Sequence, residues 1–227
     1  MIFFKEGKGC NIRLLEYESK EIFRDYSIPL ADNILITKTD NIEEKLENFE
    51  FPAIIKSQIA IGSRKKARLI KIAQPRDVAN SLCKEFFERV VAGFTVEAIL
   101  IEELAEIQHE YYCSIALDAS RIQFFVIASK EGGIDIEEVS KSNPEAIIKE
   151  SFSFREGLTE ELSGKVAKQL GFRGDLYNSA KYILKKLWKI TKEREAQLVE
   201  INPLVLTPSG LVAVDGKMIL DDDSAFR

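Results

Sequence analysis

Short apolar, β-branched runs alternate with long amphipathic helices along this chain, and that interleaving confines it to the α/β or α+β folds. Leu15, Ile22, Phe23 and Tyr26 share one face of a helix predicted over residues 15–26, with charges on the other. Ser27-Ile28-Pro29 ends it, because the residue before a proline avoids the helical region. Apolar runs at 51–61 and 69–72 read as strands joined by a basic turn, Gly62-Ser63-Arg64-Lys65-Lys66. Pro75 suits a helix start, and Val78, Leu82, Phe86 and Val90 recur every fourth residue, predicting a helix over 75–92. Strands are expected over 95–102, 110–117 and 121–129, the last two linked by the turn Asp118-Ala119-Ser120. Gly132-Gly133 punctuates before a short acidic segment. Helices are expected over 159–171, stopping at Gly171, and over 175–192 with Asp175 as N-cap. Two strands, 197–202 and 211–217, follow, joined by a loop containing Pro203, Pro208 and Gly210.

Composition narrows the function. The 227 residues are 45% hydrophobic and 30% charged, as in an ordinary soluble globular protein of one large domain or two small lobes. A net charge of -5 argues against a general nucleic-acid binder, since a phosphate backbone needs a basic surface. The three cysteines, Cys10, Cys83 and Cys113, are too few and too scattered for a disulfide framework or a zinc cluster, which suits a reducing compartment. No stretch reaches the length of a membrane span, and no signal-peptide core follows Ile2, Phe3 and Phe4. A cytoplasmic location is expected.

Three constellations could carry chemistry. Lys56 leaves an apolar strand just before the basic turn, and ammonium groups with free backbone N–H groups suit polyphosphate oxygens; a solvated basic hairpin has the same sequence. Glu200 and Asn202 share a face of one strand, and Asp215 comes beside them if the two last strands pair. Two carboxylates and an amide oxygen in apolar surroundings are the hard oxygen ligands magnesium takes; polar residues at ordinary strand ends are the alternative, which the apolar neighbours disfavour. The run Ile99 to Ala105, apolar and then acidic, either offers groups to a purine or simply ends a strand. His109 is the only histidine, and it is read as a surface residue rather than as part of a Ser-His-Asp or Cys-His arrangement.

Together these segments resemble the ATP-grasp portion of succinyl-CoA synthetase beta subunits. The resemblance rests on Leu15-Glu16-Tyr17-Glu18-Ser19-Lys20, Ile55-Lys56-Ser57-Gln58, Leu100-Ile101-Glu102 with Glu110, Ala128 to Glu137 containing Glu131-Gly132-Gly133-Ile134-Asp135, Glu200-Ile201-Asn202-Pro203-Leu204, Val214-Asp215-Gly216-Lys217 and the ending Ala225-Phe226-Arg227. It implies an α+β ATP-grasp fold of two lobes with the nucleotide between them: 32–104 inserted, and 1–31 with 105–227 carrying the metal site. It implies that Lys56 contacts the nucleotide phosphates and that Ser63, Arg64 and Lys65 form the phosphate loop. Glu102, Ala105 and Glu110 would line the adenosine pocket, and Asn202 and Asp215 would hold Mg2+. Glu200 would face the phosphorylated histidine of a partner alpha-type subunit.

The implied reaction is an ADP-forming acid–CoA ligation, a step of the tricarboxylic acid cycle, with ATP and Mg2+ as cofactors and a carboxylate and CoA as substrates of the complex. Acetate, malate or citrate are alternative acids, and a non-catalytic nucleotide-binding assembly subunit is the alternative of another class. The family's phosphate loop is glycine-rich, whereas this one reads Gly-Ser-Arg-Lys-Lys-Ala-Arg. The family's beta subunit continues into a CoA-ligase domain, which is therefore expected on another chain or on a missing part of this one. Neither nucleic acid nor membrane is an expected partner.

Overall fold

A computed structural model of the chain describes residues 11–59 and 69–221. Ser63, Arg64 and Lys65 of the basic turn, Cys10, and the ending Ala225-Phe226-Arg227 lie outside the described residues. In chain order the elements are β1 (Asn11–Arg13), α1 (Glu16–Asp25), β2 (Asn33–Thr37), α2 (Ile42–Leu46), β3 (Ala53–Gln58), β4 (Ile70–Ala73), α3 (Arg76–Phe87), β5 (Val90–Val91), β6 (Phe94–Thr95), β7 (Ala98–Glu103), β8 (His109–Asp118), β9 (Gln123–Ser129), α4 (Ile136–Ser142), β10 (Ile147–Phe152), α5 (Glu160–Gln169), α6 (Gly174–Glu193), β11 (Ala196–Thr207), β12 (Gly210–Ala213) and β13 (Gly216–Asp221). They fall into two compact units, Met1–Leu30 with Glu106–Arg227, and Ala31–Ala105.

The larger unit is built on an antiparallel sheet in the order β1-β13-β11-β8-β9-β10, with β12 also on β11. Side chains alternate across a strand, so each face has its own set. Tyr111, Cys113 and Ile115 of β8, Val126 of β9, and Val199 and Ile201 of β11 join the main core with α1, α5 and α6. The long helix α6 turns a continuous stripe to it, Ala180, Ile183, Leu184, Leu187 and Ile190, each at most 2% exposed. Each buried Leu or Ile side chain there contributes roughly 1.5–3 kcal/mol, which holds the helices to this face. The opposite face carries Tyr112 and Ala116 of β8, Ile127 of β9 and Leu198 of β11, with Ile136 of α4 packed against them. The polar residues of interest stand on this second face.

The inserted unit is a four-stranded antiparallel sheet, β2-β7-β3-β4. Ile55, Ile99 and Ile101 pack with Leu46 of α2 and with Ala79, Cys83 and Phe86 of α3. Lys56 and Glu102 alternate with these residues and so lie on the face away from the helices.

Several sequence expectations change. The helix from Pro75 stops at Phe87 rather than 92, and Val90, 64% exposed, pairs in a small hairpin with Thr95 instead. The strand over 197–202 continues to Thr207, through Pro203. A register shift on the β8 side between Ile201 and Leu204 accommodates a residue that has no N–H to give. The run 211–217 is two strands, β12 and β13, broken at Val214 and Asp215. Asp175 lies in the first turn of α6, with Arg173 at the N-cap. On α1 the charges are not all outside: Glu16 and Lys20 are buried beside Phe23, with Ser19.

Candidate functional site

The diglycine stretch is folded against β8 and locked by Asn202. Gly132 N–H donates to the Glu110 carbonyl, and a Cβ on Gly132 would stand 2.4 Å from the Tyr111 carbonyl oxygen. Gly133 has a φ of +72°, and a Cβ there would meet a Glu110 carboxylate oxygen at 2.4 Å. Only glycine satisfies both demands. The Gly133 N–H donates to Asn202 Oδ1 at 2.8 Å, and Asn202 Nδ2 donates to the Ile134 carbonyl at 2.8 Å. Beyond them Asp135 caps α4 by accepting from the Glu137 N–H. One amide thus fixes a loop and, through it, a helix start.

Glu200 sits at the centre of the same face. It is opposite Ser114 on β8 and opposite Lys217 on β13. The Tyr112 hydroxyl donates to Glu200 Oε2 at 3.0 Å. Burial pushes the Glu200 carboxyl above its ordinary range, Lys217 and the Tyr112 hydroxyl pull it back, Asp135 raises it and Arg13 lowers it. Burial also pushes the Tyr112 phenol well up, with the Glu200 charge adding to it. The phenol therefore stays protonated and is a fixed donor to the carboxylate. A carboxylate held this way, with Lys217 and Arg13 near enough to lower it, is oriented by the phenol.

Asp215 lies in the break between β12 and β13. Its carbonyl accepts from the Asn202 N–H at 3.4 Å, and its Oδ1 accepts from the Gly216 N–H at 2.8 Å. The Val214 N–H donates to the Pro203 carbonyl. Asn202 and Asp215 are therefore neighbours across the sheet, on a turn sewn to β11. Their oxygens fit a hard cation: magnesium keeps several waters and is commonly held by one or two protein oxygens together with substrate phosphates. Among the described residues no group of three or more His, Cys, Asp or Glu side chains is arranged to hold a metal by itself.

In the inserted unit Lys56 and Glu102 meet. Lys56 Nζ and Glu102 Oε1 are 2.8 Å apart, with residue exposures of 5% and 1%. They are diagonal neighbours, since Lys56 pairs with Leu100 and Ile54 with Glu102. The strand lysine is thus balanced by a carboxylate within its own sheet. Ala105 ends this unit, past β7, whereas Glu110 is the second residue of β8 in the other. His109, edge-on to the Tyr111 ring and bonded to the Lys130 carbonyl, is engaged in holding the strand end.

The structure brings Glu200, Asn202 and Asp215 together, joins Lys56 to Glu102, and sets Glu110 against Gly133. Tyr112 was not singled out from the sequence, and Lys20 entered only within the segment Leu15 to Lys20, with no role of its own. Tyr112 shares its strand parity with Glu110, which would have placed it on the polar face. Lys20 stands four residues after Glu16 and three before Phe23, a charged pair on the stripe of an apolar residue.

Residues 13–206 match the family model described as ATP-grasp domain. The chain is 38% identical over 216 residues to the ADP-forming succinate–CoA ligase subunit beta of Ignicoccus hospitalis, covering 95% of this chain and 57% of that protein. Identity to its namesake from Methanocaldococcus jannaschii is also 38%, over 95% of this chain and 59% of the relative. An ADP-forming sulfoacetate–CoA ligase subunit of Bilophila wadsworthia is 33% identical, with 95% and 57% covered. The chain thus spans under three fifths of the length of these relatives. Among solved structures, the dinucleotide-forming acetyl-coenzyme A synthetase 1 of Ca. Korarchaeum cryptofilum, in complex with coenzyme A, Ca-AMPCP and HgCl+, superimposes with a TM-score of 0.74 at 23% identity, covering 92% of this chain and 93% of that one. ATP citrate lyase from Methanothrix soehngenii gives 0.74 at 20% identity, over 96% and 53%. At those identities the likeness is one of fold.

Proposed function

The chain belongs to the ATP-grasp domain family, and on that premise we propose that it binds Mg-ATP and passes the γ-phosphoryl group to a histidine of a partner alpha-type subunit during reversible, ADP-forming succinyl-CoA synthesis. Carboxylate and CoA are substrates of the complex, and a CoA-ligase domain belongs to another chain or to a further part of this one. In the larger unit Asn202 and Asp215 hold Mg2+, Glu110 lies at the adenosine, and Glu200 faces the incoming histidine. In the inserted unit Lys56 contacts the phosphates with Ser63, Arg64 and Lys65, and Glu102 and Ala105 line the adenosine pocket. The reaction belongs in the cytoplasm, in keeping with few and scattered cysteines. Among the described residues no helix is long and apolar enough to cross a membrane.

The observation that carries this reading is Glu200: a carboxylate raised by burial, aimed by the Tyr112 hydroxyl and two residues from Asn202. A carboxylate beside polyphosphate is unfavourable on charge alone. It is useful if it accepts a hydrogen bond from one ring N–H of a histidine whose other nitrogen attacks phosphorus. The new N–P bond forms as the bond from phosphorus to the ADP oxygen breaks, and the electron pair leaves on ADP. The carboxylate fixes the tautomer and stabilises the positive charge that grows on the ring. Magnesium, when bound, offsets charge on the transferring group.

Glu200→Gln tests this. ATP affinity stays near wild type while the rate of partner-histidine phosphorylation, followed by rapid quench, falls by ~10²-fold or more. Lost Mg-ATP binding with an unchanged transfer rate at saturation assigns Glu200 to the metal instead. A second reading changes only the acid: the sulfoacetate–CoA ligase relative is nearly as similar as the succinate–CoA ligases. Thioester formation by the full complex with each acid separates the two, and no phosphoryl transfer with any acid identifies a non-catalytic assembly subunit.

A further inference from the structure

The two residues either side of Asp215 both rest on α1. Lys20 Nζ donates to the Val214 carbonyl at 2.9 Å, across 194 residues of sequence. On the other side, Gly216 lies so close to Phe23 that a Cβ would stand 2.5 Å from the ring. Lys20 and Phe23 are three apart on the helix and so share a stripe. The ammonium group is 1% exposed and is also ion-paired with Glu16 at 3.0 Å, itself on the same stripe.

A lysine buried this deeply is costly unless its charge and its hydrogen bonds are met. An apolar residue would fill the same volume at no such cost. What the ammonium adds is direction: a charge-assisted bond to one carbonyl, stronger than a neutral one. That carbonyl belongs to the residue before Asp215, in the break where neither β12 nor β13 supplies ladder bonds. From the strand side the Asn202 N–H and the Pro203 carbonyl bond the same turn, at 3.4 and 3.3 Å.

We propose that Lys20 is a positioning residue: it anchors the backbone at Val214 from α1 and thereby holds the Asp215 carboxylate where a divalent cation is bound. The role of Asp215 in this rests on the function proposed above; the anchoring itself does not. Glu16 sets the Lys20 ammonium, Lys20 sets Val214, and Phe23 closes the other side at Gly216. The helix acts on the metal ligand without touching the cation.

The test uses the full chain with Glu16 and Lys20 replaced together, Glu16→Gln with Lys20→Met, so that no buried charge is left unpaired. Hydrogen exchange is followed across 211–218 and, for reference, across β8 and β9. Magnesium dependence of ATP binding is titrated in wild type, in the double variant and in Asp215→Asn. Exchange in 211–218 rises by ~10-fold while β8 and β9 are unmoved, and the magnesium concentration for half-saturation rises by ~10-fold, as on loss of a group that orients a metal ligand. Unchanged exchange in 211–218 overturns the proposal, as does an equal rise throughout the unit, which marks Lys20 as general core structure. Selective exchange with wild-type magnesium dependence overturns the positioning role. Asp215→Asn then shows where the failure lies: if it too leaves magnesium dependence unchanged, the metal reading of Asp215 is wrong, and if it alone raises it, the tether is not what positions the ligand.

Discussion

Asn202 and Gly133, 69 residues apart, are joined by a 2.8 Å hydrogen bond from the Gly133 N–H to Asn202 Oδ1. The same side chain donates to the next carbonyl, at Ile134. The residue expected to hold magnesium therefore already organises the diglycine loop, and one carboxamide links the loop to the strand bearing Glu200. Asn202→Ala removes both bonds and costs about 1–3 kcal/mol in urea unfolding. Asn202→Asp keeps the acceptor and loses only the donor, so it unfolds between the two and keeps more of the magnesium dependence. Equal losses in the two variants would count against a divided role.

The diglycine itself separates backbone from side-chain contact. An alanine at 132 meets the Tyr111 backbone, which the sheet holds in place, and destabilises by about 3 kcal/mol or more. An alanine at 133 meets the movable Glu110 carboxylate and adopts a left-handed φ, costing about 1–2 kcal/mol for the backbone alone. Adding Glu110→Ala restores part of the stability lost in Gly133→Ala and none of that lost in Gly132→Ala. A double-mutant cycle by chemical denaturation measures the coupling, and additivity in both pairs would show that the loop relaxes elsewhere.

Lys56→Met does more than remove a cation from phosphate. It leaves Glu102 buried without its lysine, which costs roughly 3–5 kcal/mol in the stability of the inserted unit. Glu102→Gln added to Lys56→Met recovers most of that loss. Calorimetric titration of ATP on this folded double variant, beside Glu102→Gln alone to account for the adenosine side, then isolates the phosphate contact. Wild-type affinity there would remove Lys56 from the nucleotide site.

Cys83 and Cys113 are buried thiols, each pushed up to about 12 by burial, one in each unit. Near pH 8 both are protonated and closed to reagents. Site-resolved alkylation of the native protein leaves both unmodified over hours, while urea exposes them. Because each reports on a different unit, separate midpoints identify separate unfolding. Rapid labelling of either in the native state would show that its core opens readily.

Much of the fold was legible because long periodic segments announce themselves. The stripe of α6 and the β8–β9 hairpin lie within a few residues of where patterning places them. Short elements escaped. Asn33–Thr37 and Ile147–Phe152 gain their strand character from neighbours already in the sheet, and α4 hides in a charged run whose only buried residue is Val139. Pro203 suggested a loop because a proline removes a ladder bond, and only the register shift on β8 makes it admissible. In the site, Glu200, Asn202 and Asp215 were legible as strand neighbours. The pairing of Lys56 with Glu102 was not, because a diagonal contact depends on register. Lys20 was hidden by its charge, which ordinarily marks a solvated face.

The central strand of the large sheet is made later than the three strands β8, β9 and β10 on one side of it. β11 lies between β8 and β13 and also carries β12, yet it follows α6 in the chain. The inserted unit is contiguous from Ala31 to Ala105, and its two ends are pinned by the Glu103 N–H bond to the Asp32 carbonyl, so it is complete in the nascent chain first. β8, β9 and β10 then form a meander whose β8 edge has no partner until residue 196 is made, and α1 waits with Glu16, Lys20 and Phe23 for residues 214–218. For that interval the half-made protein presents an open strand edge and an unsheltered helix face together, the combination that invites wrong partners. Placing Asp215 in the turn between β12 and β13 thus ties completion of the proposed site to completion of the sheet.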